Sequence, residues 1–235
     1  MRPDERRHRE KPGQQEHVHR AYTSSEIVTE TDFEQSFDAS CRPGGFEESR
    51  SGGGQIAYSA DGVTLSTPSS GEVSLKKTFI DAFSGVTAHE IRFKNNSSAS
   101  NEFANIMFLN NSSNGEKIVT YAVEGGRLRY NVSGWKTVQY NGKDVYLLDG
   151  EWYTLTGVND YDAKTSAVYL TGERFGNGGK SEVAPLGERV FLGTYDFRNA
   201  TAGNPGVFEM AIGSGKAGTS FTVDYIRSYA VKGDA

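Results

Sequence analysis

From Ile27 to Val231 the sequence is cut into short runs of alternating apolar and polar residues. Each run closes within about ten residues at a Gly, Ser, Asn or Asp cluster. Alternation with period 2 buries one face of a strand, whereas a helix needs apolar residues three and four apart. The pattern predicts strands near 33–37, 55–58, 62–66, 73–79, 87–93, 103–109, 117–123 and 127–132. It continues near 136–140, 145–148, 151–159, 167–170, 189–194, 208–213 and 221–229. The one competing helical signal is Leu75, Phe79 and Phe83 at four-residue spacing, but its flanks alternate, so it too reads as strand. Gly125-Gly126 and Asn141-Gly142 are tight-turn dipeptides whose central positions tolerate positive φ. No run shows the strand–helix–strand rhythm or the glycine-rich phosphate loop of a nucleotide-binding fold. The expectation is an all-β, two-sheet antiparallel sandwich over residues 27–231. A charged tail or linker at 1–26 precedes it, and a short tail at 232–235 follows.

The last run, Ser220 to Tyr229, sets Phe221, Val223 and Tyr225 against polar neighbours. Its Asp224 invites pairing with Asp32-Phe33-Glu34 near the start. If the two ends meet, the chain between them is a closed, strand-built unit. The composition agrees, with 28 Gly, 13 Phe and 12 Tyr against 6 Pro. The net charge of −5 carries no basic stripe, which argues against nucleic acid. The single cysteine, Cys41, rules out an internal disulfide and any multi-cysteine metal site. No apolar run reaches the roughly 20 residues that cross a membrane as a helix. Residues 1–20 hold six Lys/Arg, four Asp/Glu and three His with almost nothing apolar. Such a segment cannot offset its ordering entropy and lacks the apolar core of a secretory signal. The chain is therefore expected to stay inside the cell or to be cut from an exported protein, and His8, His17 and His19 read as solvated.

Asp149-Gly150-Glu151-Trp152-Tyr153-Thr154-Leu155, the acidic turn Asp160-Tyr161-Asp162 and Val168-Tyr169-Leu170-Thr171-Gly172 resemble a strand–turn–strand passage of laminin-G-like, concanavalin A-like jelly rolls. Asp32-Phe33-Glu34 and Val223-Asp224-Tyr225-Ile226-Arg227-Ser228-Tyr229 resemble the bookends of the same family. These domains occur as carbohydrate-binding modules and as polysaccharide lyases or glycosidases, so the resemblance implies a fold more than an activity. It also implies an extracellular or cell-surface setting, with other domains of a larger chain as possible partners. Asn159 and Ser166 depart from the pattern by standing where apolar residues are expected. Trp152, at a strand start, reads as core, and Asp160 and Asp162 as acceptors for turn N–H groups.

In similar modules a Glu on the first strand and an Asp on the last share a structural Ca²⁺. The matching residues are Glu34 and Asp224, with Asp32 in reserve; the alternative is a surface carboxylate pair beside Arg227. The passage 127–140 is the richest in flat aromatic and planar polar groups, the two things a glycan surface needs. Arg127, Arg129 and Asn131 share one strand face opposite Leu128, Tyr130 and Val132, and Trp135 follows Gly134 in an expected loop. Tyr121, Tyr195, Asp196 and Arg198 are candidates for the same face. The expected ligand set is Tyr121, Arg129, Trp135, Tyr195 and Arg198 on a concave sheet face, binding a poly- or oligosaccharide without cleaving it. The alternative for each residue is ordinary core or solvated charge.

Catalysis has less support. The E-x-D-x-E string of retaining glycosidases on this fold does not occur. A lyase acting on a uronic-acid polymer by β-elimination needs a cation for the carboxylate and a Tyr, His or Lys as base and acid. Arg92, Tyr121, Arg129 and Tyr195 would be that set. His89 alternates with Ile91 and Phe93 on the core side and reads as a satisfied core histidine.

Overall fold

In a computed structural model of the protein, residues 33–37, 45–97 and 102–231 are described. The expected tails at 1–26 and 232–235, and with them Asp32 and Cys41, lie outside the described residues. The strands are β1 (Phe33–Ser36), β2 (Phe46–Gly52), β3 (Gln55–Ser59), β4 (Gly62–Thr67), β5 (Gly71–Thr78) and β6 (Val86–Asn95). Then come β7 (Phe103–Asn110), β8 (Lys117–Glu124), β9 (Arg127–Asn131), β10 (Trp135–Thr137), β11 (Gln139–Tyr140) and β12 (Lys143–Tyr146). The chain closes with β13 (Trp152–Asp160), β14 (Thr165–Asn177), β15 (Val183–Asp196), β16 (Val207–Ile212) and β17 (Thr219–Ala230). All pairings are antiparallel, and no helix occurs among the described residues. The Leu75–Phe79–Phe83 spacing is thus strand β5 and the loop after it.

Pairing divides the strands into two layers. In the back layer β17 is the hub: β6 runs along its whole length, β4 joins its first half and β1 its last. From β6 the layer continues through β13 and β14 to β15. The front layer runs β2, β5, β16, β7, β8, β9, β10. The end of β14 crosses to β12, which touches β9, and so links the layers. The two ends of the domain do meet: Phe33 lies opposite Ser228 and Glu34 opposite Arg227.

The inward residues of both layers form one core. Leu65, Ile91, Phe93, Leu155, Leu170, Phe221, Val223 and Ile226 come from the back, and Leu75, Met107, Leu109, Val123, Phe208 and Met210 from the front. Each is essentially sealed from water, and burying such a side chain stabilises the fold by roughly 1.5–3 kcal/mol. Several polar groups inside are paired, His89 within the back layer and Tyr121 across to it. His89 bonds Ser228 Oγ through Nδ1 at 2.8 Å and Tyr161 Oη through Nε2 at 2.9 Å. Ser166 accepts from Tyr121 Oη at 2.7 Å, which explains a serine where an apolar residue was expected.

The turns follow their sequence signals. Gly125, Gly126, Asn141 and Gly142 all have positive φ, and Asp160 accepts from the N–H groups of Asp162 and Ala163. β2 is the strand the alternation misses. Phe46-Glu47-Glu48-Ser49-Arg50-Ser51-Gly52 is largely exposed and owes its form to pairing with β5.

Candidate ligand face and the placement of the predicted residues

The outer face of the front layer is set by a bulge in β7. Register slips between Asn105 and Met107, so Ile106 and Met107 are both buried in the core. Phe103 and Asn105 before the bulge, and Phe108 and Asn110 after it, consequently share the outer face. Strict alternation cannot produce that grouping. Beside them stand Thr120, Ala122 and Glu124 on β8 and Arg127, Arg129 and Asn131 on β9.

Trp135 completes this face, and it opens β10 rather than sitting in a loop. A tight turn delivers it there: Gly134 N–H donates to Asn131 Oδ1 at 3.2 Å, and Gly134 has φ +147°, which side chains rarely adopt. The indole meets Phe103 edge-on at 5.0 Å and lies near-parallel to Phe108 at 6.5 Å. It therefore spans β9 and β8 to reach β7, above the small residues Ala122 and Thr120. Arg129 fixes the arrangement by pairing with Glu124 and donating to the Trp135 carbonyl at 3.0 Å. Lys117 and Lys216 place ammonium groups over the Phe108 and Phe103 rings, at 4.3 and 5.4 Å.

Four polar atoms on this face are shut off from solvent with no hydrogen-bond partner: Asn105 Oδ1, Asn110 Oδ1, Thr120 Oγ1 and Arg129 Nε. Thr120 is 2% exposed and Asn110 5%. Buried polar atoms are nearly always paired, so four orphans beside three aromatic rings mark a place where polar partners are missing.

The predicted ligand set does not lie together. Arg129 and Trp135 occupy the outer face, but Tyr121 and Tyr195 point between the layers. Tyr121 is buried, its hydroxyl is committed to Ser166, and burial drives its pKa up. Tyr195 stacks on Tyr130 at 3.8 Å and donates to the Leu192 carbonyl at 3.1 Å. Burial raises its pKa to about 12. The gap beside this stack, bounded by Tyr121, Asp196 and Arg198, holds only about 10 Å³, too little for a sugar ring. Arg198 is exposed at the edge of the front layer, where its N–H donates to the Ile118 carbonyl at 2.8 Å. Alternation separates the two faces of a strand, but it does not say which layer the strand joins.

Glu34 and Asp224 do not converge on one point. Glu34 lies opposite Arg227 and takes a 3.1 Å hydrogen bond from it, while Asp224 is paired with Arg92. Each carboxylate already has a guanidinium partner, and they stand three register positions apart on β1 and β17. Calcium needs six to eight oxygens around one point, and no cluster of three metal-ligating side chains occurs among the described residues. Glu34 is paired with Arg227 and Asp224 with Arg92, so the two carboxylates do not form one pair beside Arg227.

The lyase set is scattered too. Arg92 lies on the outer face of the back layer, Arg129 on that of the front, and Tyr121 and Tyr195 between them. His89 is fully buried against Phe83 and neutral, with its pKa lowered to about 3 by desolvation. Trp152 is not core. It is half-buried on the outer back face, beneath Arg92 and Lys94 at 4.9 and 5.0 Å from its ring. The core position belongs to its neighbour Tyr153, 1% exposed, whose hydroxyl accepts from Leu148 N–H and donates to the Arg174 carbonyl.

No protein-family model and no curated protein matches the chain. Solved structures do. Peanut lectin aligns with a TM-score of 0.53 at 10% identity, over 86% of this chain and 98% of its own. The Emp47p carbohydrate recognition domain aligns at 0.52 and 11% identity, over 90% of this chain and 100% of its own. The Ca²⁺-bound exoplasmic/lumenal domain of VIP36 aligns at 0.52 and 10%, over 86% and 89%. Identities this low establish a shared fold and nothing finer.

Proposed function

We propose that this chain, a concanavalin A-like jelly-roll sandwich, binds carbohydrate without cleaving it, on the outer face of its front layer. The observation that carries the reading is the cluster of Trp135, Phe103 and Phe108 on an outer sheet face, with Trp135 held by Arg129. Glycans are recognised by aromatic faces that stack on pyranose rings and by planar polar groups that meet hydroxyls. Here Trp135 supplies the platform, Arg129 holds it in place, and the half-buried Asn105 stands on the same face. The carbohydrate-recognition and lectin domains that share the fold support a sugar as partner. That the VIP36 domain is exoplasmic/lumenal supports an extracellular or cell-surface setting. Calcium, present in one form of VIP36, has no part in the reading, because Glu34 and Asp224 are occupied by arginines.

Affinity electrophoresis through gels carrying plant or microbial polysaccharides tests this. Retardation by at least one glycan, abolished in Trp135→Ala with melting temperature preserved, is the expected result. Retardation that survives the substitution moves the site elsewhere on the molecule.

A further inference from the structure

The opposite side of the sandwich carries a second concavity that the front-face reading does not use. On the outer face of the back layer, a cavity of about 370 Å³ lies over the start of β13 and its neighbours β6 and β14. Its size falls within the roughly 300–1,000 Å³ typical of small-ligand sites. The wall is the half-buried Trp152, and the polar side chains of the lining are those of Arg92, Glu151, Thr154, Thr171 and Glu173 beside Tyr153.

Sequence and sheet order together build this site. The Asp149-Gly150 turn needs positive φ, which Gly150 adopts at +78°, and it delivers Trp152 to the first position of β13. Register then sets Trp152 opposite Lys94 on β6, and Thr154 opposite Arg92 on one side and Thr171 on the other. The neighbour on one side of the indole is therefore cationic, with Arg92 and Lys94 at 4.9 and 5.0 Å. Arg92 is in turn anchored by Asp224. Such contacts fix the ring's orientation before any ligand arrives. The neighbour on the other side, β14, contributes the Thr171 hydroxyl and the exposed Glu173 carboxylate.

We infer that this cavity is a second ligand site, on the face opposite Trp135, and that it takes a neutral pyranose ring. The ring stacks on Trp152, and its hydroxyls meet Thr154, Thr171, Glu173 and Arg92. Neutrality follows from charge: the lining pairs one guanidinium with two carboxylates, and the Glu151 carboxylate is bound by Arg174 at 2.9 Å. An anionic sugar would face Glu173, while a neutral one uses it as an acceptor. Two sites on opposite faces would let one molecule bridge two glycan chains, multiplying apparent affinity without new contacts.

The test uses the Trp135→Phe variant of the full chain, in which Trp152 is the only tryptophan. Its emission is followed against neutral gluco-, galacto-, manno- and xylo-configured mono- and oligosaccharides. A saturable change with at least one sugar is expected. Thr171→Val and Glu173→Gln should each weaken it, by up to about tenfold for a lost hydrogen bond. No change with any sugar, or a change indifferent to both substitutions, overturns the site. Because the front platform is altered in every protein compared, neither result depends on the front-face reading. That reading is judged separately by Trp135→Ala in the gels.

Discussion

Lowering the pH from 7 to 5 should cost this fold about 2 kcal/mol through His89 alone. The imidazole is fully buried, and desolvation holds its pKa at about 3 in the folded protein. Its ordinary value, which the unfolded chain recovers, is about 6.5. Between these two values the unfolded state binds a proton that the folded state refuses, so stability falls as pH drops through that window. At pH 5 the window has been entered by about 1.5 units, and each unit is worth about 1.36 kcal/mol. Near pH 3 the same residue would cost about 4 kcal/mol, a large part of the total stability of a domain. Urea denaturation at pH 7 and pH 5 measures the effect, with His89→Gln as reference. The amide can still bond Ser228 or Tyr161 but carries no titrating proton. Wild type should lose about 2 kcal/mol more than the variant, and any other group titrating in that range cancels in the comparison. Equal losses refute the reasoning. So does an imidazole whose NMR shifts titrate above pH 5, and that observation does not need the variant to fold.

Two further outcomes follow from pairs seen on the surface. Arg129→Ala leaves Glu124 and the Trp135 carbonyl without their donor, and should cost about 1–3 kcal/mol in urea denaturation while shifting Trp135 emission to the red; an unchanged spectrum would mean that Arg129 does not position the indole. Adding a calcium chelator should leave the melting temperature where it was, because Glu34 and Asp224 are held by arginines; a drop of several degrees would reveal a stabilising ion that these residues do not explain.

The alternation made the architecture legible because a two-layer sandwich half-buries most of its strands. β6 shows this: Ile91 and Phe93 face the core while Arg92 and Lys94 face out. β2 was illegible for the complementary reason. An exposed edge strand needs no apolar stripe, so nothing in Glu47-Glu48-Ser49-Arg50 announces it. The candidate site was half legible. Arg129 and Trp135 are legible together because they lie six residues apart in one hairpin. Phe103, Asn105, Phe108, Asn110 and Thr120 could not, since they reach the same face only through the β7 bulge and long-range pairing. Tyr121 and Tyr195 looked like partners of Arg129 because a tyrosine in a strand suits either face, and only packing against Ser166 and Tyr130 decides between them. Trp152 shows that size does not assign the core: register sets it opposite Lys94 on the outer face and gives the inward place to Tyr153.

The claim that the front face holds the glycan is tested most directly by the indole N–H resonance of Trp135, recorded in a Trp152→Phe background where it is the only one. Titration with a polysaccharide that retards the protein in gels should move or broaden that resonance in step with binding. A ligand that binds to saturation and leaves it untouched would contradict the account.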